Sequence, residues 1–184
     1  MVREFWLAVK TWNKEVVMDA IELGFNGILA QPEYISQIRQ LARVKIISAD
    51  PNADMILGSD VFEIYLDGTN IGETLKTSNS NAPVILYSDD WRVIPMENLL
   101  ASRSNVIQHV RSYEEAALSF EALERGADGI LLETSSSEEV RRVAHVVLQL
   151  IVRLCLQAFQ RDSTAHYLDR AVNLRFQFVI WHLI

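Results

Sequence analysis

The sequence predicts an α/β fold of parallel (βα) repeats, arranged as a partial TIM-like barrel. Three observations carry that reading. Short apolar runs such as Gly27-Ile28-Leu29-Ala30 and Val84-Ile85-Leu86-Tyr87 alternate with segments of helical periodicity. Buried parallel strands joined by crossover helices have that pattern. A unit also recurs: Glu22-Leu23-Gly24-Phe25-Asn26-Gly27-Ile28-Leu29 and Glu124-Arg125-Gly126-Ala127-Asp128-Gly129-Ile130-Leu131 both read E-x-G-x-x-G-I-L. A repeated helix stop, turn and strand favours a barrel, with a doubly wound open sheet as the alternative. Finally, the apolar share is 49% against 22% charged in 184 residues, enough to bury the core of one domain.

Taken in order, residues 4–9 form a first strand, and Asn13 caps a helix over 13–23 with Val16, Val17, Ala20 and Ile21 on one face. Gly24 stops that helix, and Gly27 is expected to serve the turn into a strand over 27–30. Pro32 opens a helix over 33–42 with Ile35, Ile38 and Leu41 inward, and 44–48 is the next strand. Residues 50–83 are less regular, with a strand at 62–66 and a polar loop over 69–81. Strands follow at 84–87, 106–110 and 129–132. Helices follow at 113–125 and, capped by Ser136 or Ser137, at 138–158.

Composition excludes several classes. A single cysteine, Cys155, allows neither an internal disulfide nor a cysteine zinc cluster. A net charge of −7 argues against a nucleic-acid binder. Lys10, Lys14 and Glu15 interrupt the start too early for a signal peptide, so a cytoplasmic protein is expected, with a plastid possible for a plant or algal source. Within 143–159, His145, Gln149, Arg153 and Gln157 recur every four residues, the polar stripe of an amphipathic helix rather than a membrane span. Two regions are expected: 1–149 is the (βα) region, with a net charge of −9. Residues 150–184 are a divergent tail of net charge +2 that lacks Lys, Gly and Pro. The tail reads as a truncation or splice product, helical to about Gln160 and then helical or irregular with Trp181 poorly buried.

Candidate chemistry gathers at predicted strand ends. His109 ends the strand 106–110 and shares a face with Ile107, which makes it a functional candidate or a core histidine. Lys10 ends the first strand and reads as a Schiff-base lysine or a solvated one. The densest segment follows the strand at 84–87. It places Asp89, Asp90, Glu97 and Asn98 around Trp91 and Pro95, a set able to bind an amine, orient hydroxyls or transfer protons. Asp90 and Glu97 are candidate catalytic groups, and Trp91 and Asn98 candidate substrate contacts. No G-x-G-x-x-G, P-loop or pair of metal-ligating histidines is present.

That segment, Asp90-Trp91-Arg92-Val93-Ile94-Pro95-Met96-Glu97-Asn98-Leu99-Leu100-Ala101, resembles the D-W-x-x-I-P-x-E-N-L-x-A motif of type II, archaeal-type 3-dehydroquinate synthases. Leu123-Glu124-Arg125-Gly126-Ala127-Asp128-Gly129-Ile130-Leu131-Leu132 is similar to the family's L-E-x-G-x-D-G-V-L-L stretch, and Ala53-Asp54 also matches. The resemblance covers roughly residues 5–149. Family members are about twice as long and continue into a G-x-G-D-R-V-C-x-D segment that this sequence lacks. The resemblance implies an NAD-dependent oxidative deamination of 2-amino-3,7-dideoxy-D-threo-hept-6-ulosonate and its cyclisation to 3-dehydroquinate, in the shikimate route to aromatic amino acids. It carries no assigned NAD-binding residues. Alternatives are a catalytically inactive fragment acting at most as an interaction module, and an unrelated barrel aldolase using Lys10. A small-molecule substrate is expected, with no nucleic-acid or membrane partner and no metal.

Overall fold

The computed structural model describes residues 4–66, 81–88, 104–121 and 127–161. Among them run eight strands: β1 (Glu4–Val9), β2 (Gly27–Ala30), β3 (Lys45–Ser48), β4 (Met55–Ile56), β5 (Phe62–Leu66), β6 (Val84–Ser88), β7 (Val106–Val110) and β8 (Gly129–Glu133). The described α-helices are α1 (Lys14–Glu22), α2 (Ile35–Leu41), α3 (Tyr113–Glu121) and α4 (Ser137–Arg161).

All eight strands join one parallel sheet in the order β4-β3-β2-β1-β8-β7-β6-β5. The sheet curls until β1 lies between β2 and β8, as in a (βα) barrel. Its two ends, β4 and β5, come together at a parallel bridge between Leu57 and Val61. The curl explains the strict alternation along each strand. Trp6, Ala8, Ile47, Val61, Ile85, Ile107 and Leu131 fill the inside, flanked by Leu29, Met55, Leu57 and Tyr87. Phe5, Leu7, Val9, Ile28, Ile46, Val110, Ile130 and Leu132 point outward to the helices. There they meet Val16, Val17 and Ala20 of α1, Ile35 and Ile38 of α2, and Val140, Val143 and Val147 of α4. Arg141 of α4 donates to Asp19 of α1 at 2.7 Å, fixing the two helices side by side.

The strands are stitched at their N-terminal ends by one recurring device. An Asp or Asn just before a strand accepts the N–H of a residue on the neighbouring strand at its side-chain oxygen, and its backbone N–H donates to that residue's carbonyl. Asn26 before β2 does this with Phe5, Asp54 before β4 with Ile46, and Asp128 before β8 with Val106. Asp60 before β5 grips Ile56 of β4 in the same way. Each satisfies a strand-end N–H that is otherwise unpaired. The Asn26 and Asp128 clamps are the x positions before the second glycine of the repeated unit, so the echo in the sequence is one joint used twice.

The glycines divide their work differently from the sequence expectation. Gly24 has φ +91° and ends α1, with the Phe25 N–H bonded to the Ala20 carbonyl at 2.9 Å. Gly27 is not needed for turn conformation but for room: a Cβ there would lie 2.4 Å from Trp6 Cδ1. A Cβ at Gly129 would lie 2.3 Å from the Glu4 carbonyl oxygen.

The strands predicted at 4–9, 27–30, 62–66 and 106–110 stand unchanged, and those at 44–48, 84–87 and 129–132 shift by one residue at one end. β4, two residues long, was not expected, because two residues carry no alternation to read. The helix predicted over 33–42 is a 3₁₀ turn, Pro32–Tyr34, followed by α2. Of Ser136 and Ser137, Ser136 caps α4, its Oγ accepting the Glu139 N–H at 3.3 Å. α4 runs to Arg161, as the continuous helix through about Gln160 predicts. His145 is exposed beside Gln149, on the polar stripe that the four-residue spacing predicts. The expectations for most of the loop over 69–81, for the end of the helix over 113–125 and for residues 162–184, Trp181 included, lie outside the described residues. No helix among the described residues is long and apolar enough to cross a membrane.

Candidate active site

Alternation and register bring a polar group together inside the C-terminal end of the barrel, where the last inward-facing positions of β1, β5, β6, β7 and β8 converge. Ala8 pairs with Glu133 across β1 and β8, so Lys10, two residues further on, overhangs Glu133. Leu131 pairs with His109 across β8 and β7, so Glu133 also reaches His109. Lys10 Nζ donates to Glu133 Oε1 at 2.7 Å, and His109 Nε2 lies 2.9 Å from Oε2 of the same carboxylate. One carboxylate thus bridges an exposed ammonium group and a buried imidazole.

The cluster continues around the rim. Tyr87 of β6 packs on the His109 ring with centroids 4.7 Å apart. Tyr65 of β5, the register partner of Tyr87, stacks on it at 4.6 Å with ring planes 8° apart. The Tyr87 hydroxyl donates to Glu63 Oε1 at 2.8 Å. Tyr65 is 68% exposed, which leaves one flat aromatic face open at the mouth of the barrel.

Protonation follows from these surroundings. Burial lowers the pKa of His109 below the ordinary imidazole value, against the opposing pull of Glu133. Burial raises the pKa of Glu133, but the hydrogen bonds from Lys10 and His109 outweigh it, and the carboxyl titrates below its usual range. An ionised carboxylate only accepts, so the neutral imidazole carries its proton on Nε2 and presents a lone pair at Nδ1. Burial, and then donation to Glu63, pushes the Tyr87 phenol well above its usual value, so it is held as a hydrogen-bond donor.

Of the residues singled out in the sequence, Lys10 and His109 are brought together. Asp90, Trp91, Glu97 and Asn98 lie outside the described residues. Glu133, Tyr87, Tyr65 and Glu63 were not given a role by sequence reading. For Glu133 a signal existed: carried one residue further, the alternation of Gly129 and Leu131 puts Glu133 on the inner face at the same rim as His109. Lys10 is a donor to a carboxylate here.

Comparison with known proteins fixes the lineage. The family model for the 3-dehydroquinate synthase II N-terminal domain matches residues 2–147. This chain belongs to the 3-dehydroquinate synthase II family. A 3-dehydroquinate synthase of Methanoregula boonei is 35% identical over 146 residues, 79% of this chain and 43% of that protein. One from Methanoculleus marisnigri is 38% identical over 144 residues, 78% of this chain and 42% of that protein. A 3-dehydroquinate synthase homolog of Aquifex aeolicus is 29% identical over 147 residues, 79% and 44% of the two chains. The chain therefore spans less than half the length of these relatives. Lys10, His109 and Glu133 all fall within the stretch that the family model matches.

The described part of the rim does not fit a dinucleotide's phosphates. Asn13, Ser112 and Ser136 already occupy the N–H groups at the starts of α1, α3 and α4. The first turns carry Glu15, Glu114, Glu115, Glu138 and Glu139. Acidic, self-capped helix starts repel a pyrophosphate rather than cradle it. The exposed face of Tyr65 suits a planar ring, but the described residues alone do not make an NAD site.

Proposed function

We propose that this chain acts as a 3-dehydroquinate synthase on 2-amino-3,7-dideoxy-D-threo-hept-6-ulosonate, yielding 3-dehydroquinate and ammonia. The observation that carries the reading is the Lys10–Glu133–His109 cluster at the C-terminal end of the strands, within the family's matched region. NAD is proposed on family membership alone, and when bound it would supply the hydride acceptor. Glu133 faces the amine that is lost and holds His109 in the Nε2–H tautomer. His109 Nδ1 accepts a proton in the deamination and returns it to the departing ammonia, which leaves the imidazole neutral. In the later ring closure a base must take a proton from the carbon beside a ketone, and an acid must return one to the new alkoxide. A neutral imidazole does both in turn. Tyr87, kept protonated by Glu63, offers a second donor beside it.

A second reading has one specific observation in its favour. The match to the family ends at residue 147, and the relatives extend to more than twice the matched length. In that reading the chain holds the substrate without completing the reaction. The test is NADH formation from the amino-ulosonate, this chain against a full-length relative. The enzyme reading expects turnover by this chain that His109→Gln lowers by about 10²-fold or more. Binding without turnover would establish the second reading instead.

A further inference from the structure

The ion pair between Lys10 and Glu133 joins two groups of opposite character. The Lys10 side chain is 69% exposed and is held at its tip by Glu133 alone among the described residues. The Glu133 side chain is 23% exposed and is anchored from below, because its second oxygen is taken by His109, whose own side chain is only 6% exposed. The pair is therefore a fixed anion under a movable cation. The Lys10 end of the pair lies in solvent, so opening it costs little. Opening exposes two charged sites of opposite sign on neighbouring strand ends, above a floor of Tyr87 and His109.

We infer that Lys10 and Glu133 form an exchangeable clamp for the head of a 2-amino acid. The ligand's ammonium group takes the place of Lys10 on Glu133 Oε1. The released Lys10 turns to the ligand's carboxylate. Each charge is then still paired, and both new contacts are charge-assisted hydrogen bonds. Neither partner suffices alone: an amine without a carboxylate would strand Lys10, and a carboxylate without an amine would compete with Glu133 for the same lysine. The specificity is thus for the zwitterion. Glu133 and Lys10 are specificity-determining residues, distinct from the proton-accepting His109. The inference rests on the proposed function only for the rest of the ligand, since the clamp itself reads no more than the 2-amino acid head.

The test uses the whole chain and titration calorimetry with four probes: the amino-ulosonate, homoserine, the 2-hydroxy analogue of homoserine, and homoserine amide. Wild-type protein should bind homoserine at least about tenfold more tightly than either analogue. Glu133→Gln should abolish the preference for amine over hydroxyl. Lys10→Met, at an exposed side chain, should abolish the preference for carboxylate over amide. The analogue comparison on wild-type protein stands even if Glu133→Gln fails to fold. Binding of all three small probes within about twofold, binding of none, or survival of either preference in its own variant overturns the clamp. If the amino-ulosonate binds while the preferences are insensitive to both variants, the clamp falls and the proposed function stands. If homoserine follows the predicted pattern and the amino-ulosonate does not bind, the clamp stands and the proposed substrate falls.

Discussion

The two ends of the barrel carry the same pair of residues in opposite settings. At the N-terminal end Glu4 binds Lys45, with Nζ 3.2 and 3.1 Å from its two oxygens, and also accepts the indole N–H of buried Trp6 at 2.9 Å. Lys45 lies over the Trp6 ring, 5.8 Å from its centroid. At the C-terminal end Glu133 binds Lys10 and His109. In both places a glutamate is held by a lysine and a ring N–H. The indole has no second protonation state within reach of ordinary pH, whereas the imidazole does. Lys45 is also held over an aromatic face, while Lys10 extends into solvent. The lower pair is a plug for the barrel, and the upper one is equipped to exchange partners and protons. Residue composition alone does not separate structure from function here; the neighbour of the carboxylate does.

The largest effects that could break this contrast lie at the plugged end. Gly129→Ala should destabilise the fold by about 3 kcal/mol or more, because the new methyl group meets a backbone carbonyl that has no rotamer to escape into. Gly27→Ala should cost less, about 1–3 kcal/mol, since Trp6 can shift. Urea denaturation measures both. Negligible losses would mean that the lower end is not tightly packed, and equal large ones that Trp6 cannot shift.

A smaller effect sharpens the contrast at the open end. The folded pKa of His109 is lowered, so the unfolded chain binds more protons than the folded one as the pH drops below about 6.5. The stability contribution is present in full above that value and is lost as pH falls through the lower folded value. Glu133 adds to the loss below its unfolded value near 4.5, because its folded pKa is lowered too. His109→Gln should flatten the decline between pH 6.5 and the acid range where carboxylates titrate. Chemical denaturation across that range reads it, and an unaltered slope would show that His109 is not held neutral by the fold.

How much of this was legible in the sequence follows the same division. Strand positions were readable because buried parallel strands are largely apolar runs, as in Gly27–Ala30 and the first four residues of Val84–Ser88. β4 escaped because Met55–Ile56 is too short to show a period and is held by the Asp54 and Asp60 clamps rather than by its own composition. Lys10 and His109 were readable as strand-end residues. Glu133 was missed because the predicted strand stopped at Leu132, one residue before its last inward position. The pairing of Tyr65 with Tyr87 was beyond reach, since it depends on the register between β5 and β6, which no local pattern sets. The repeated E-x-G-x-x-G-I-L unit pointed correctly to a barrel. Its second glycine was misread, because the need for room beside Trp6 and Glu4 arises only once the sheet curls.

The central claim is that the C-terminal end works and the N-terminal end holds. It is tested most directly by substituting the two matched carboxylates, Glu133→Gln and Glu4→Gln, and measuring binding of the amino-ulosonate by calorimetry alongside unfolding stability for each. The account predicts that Glu4→Gln lowers stability by about 1 kcal/mol, through loss of the charge facing Lys45, and leaves affinity within about twofold. It predicts that Glu133→Gln weakens binding by about tenfold or more while the protein still folds. Affinity lost in a folded Glu4→Gln protein, or kept in Glu133→Gln, would contradict it.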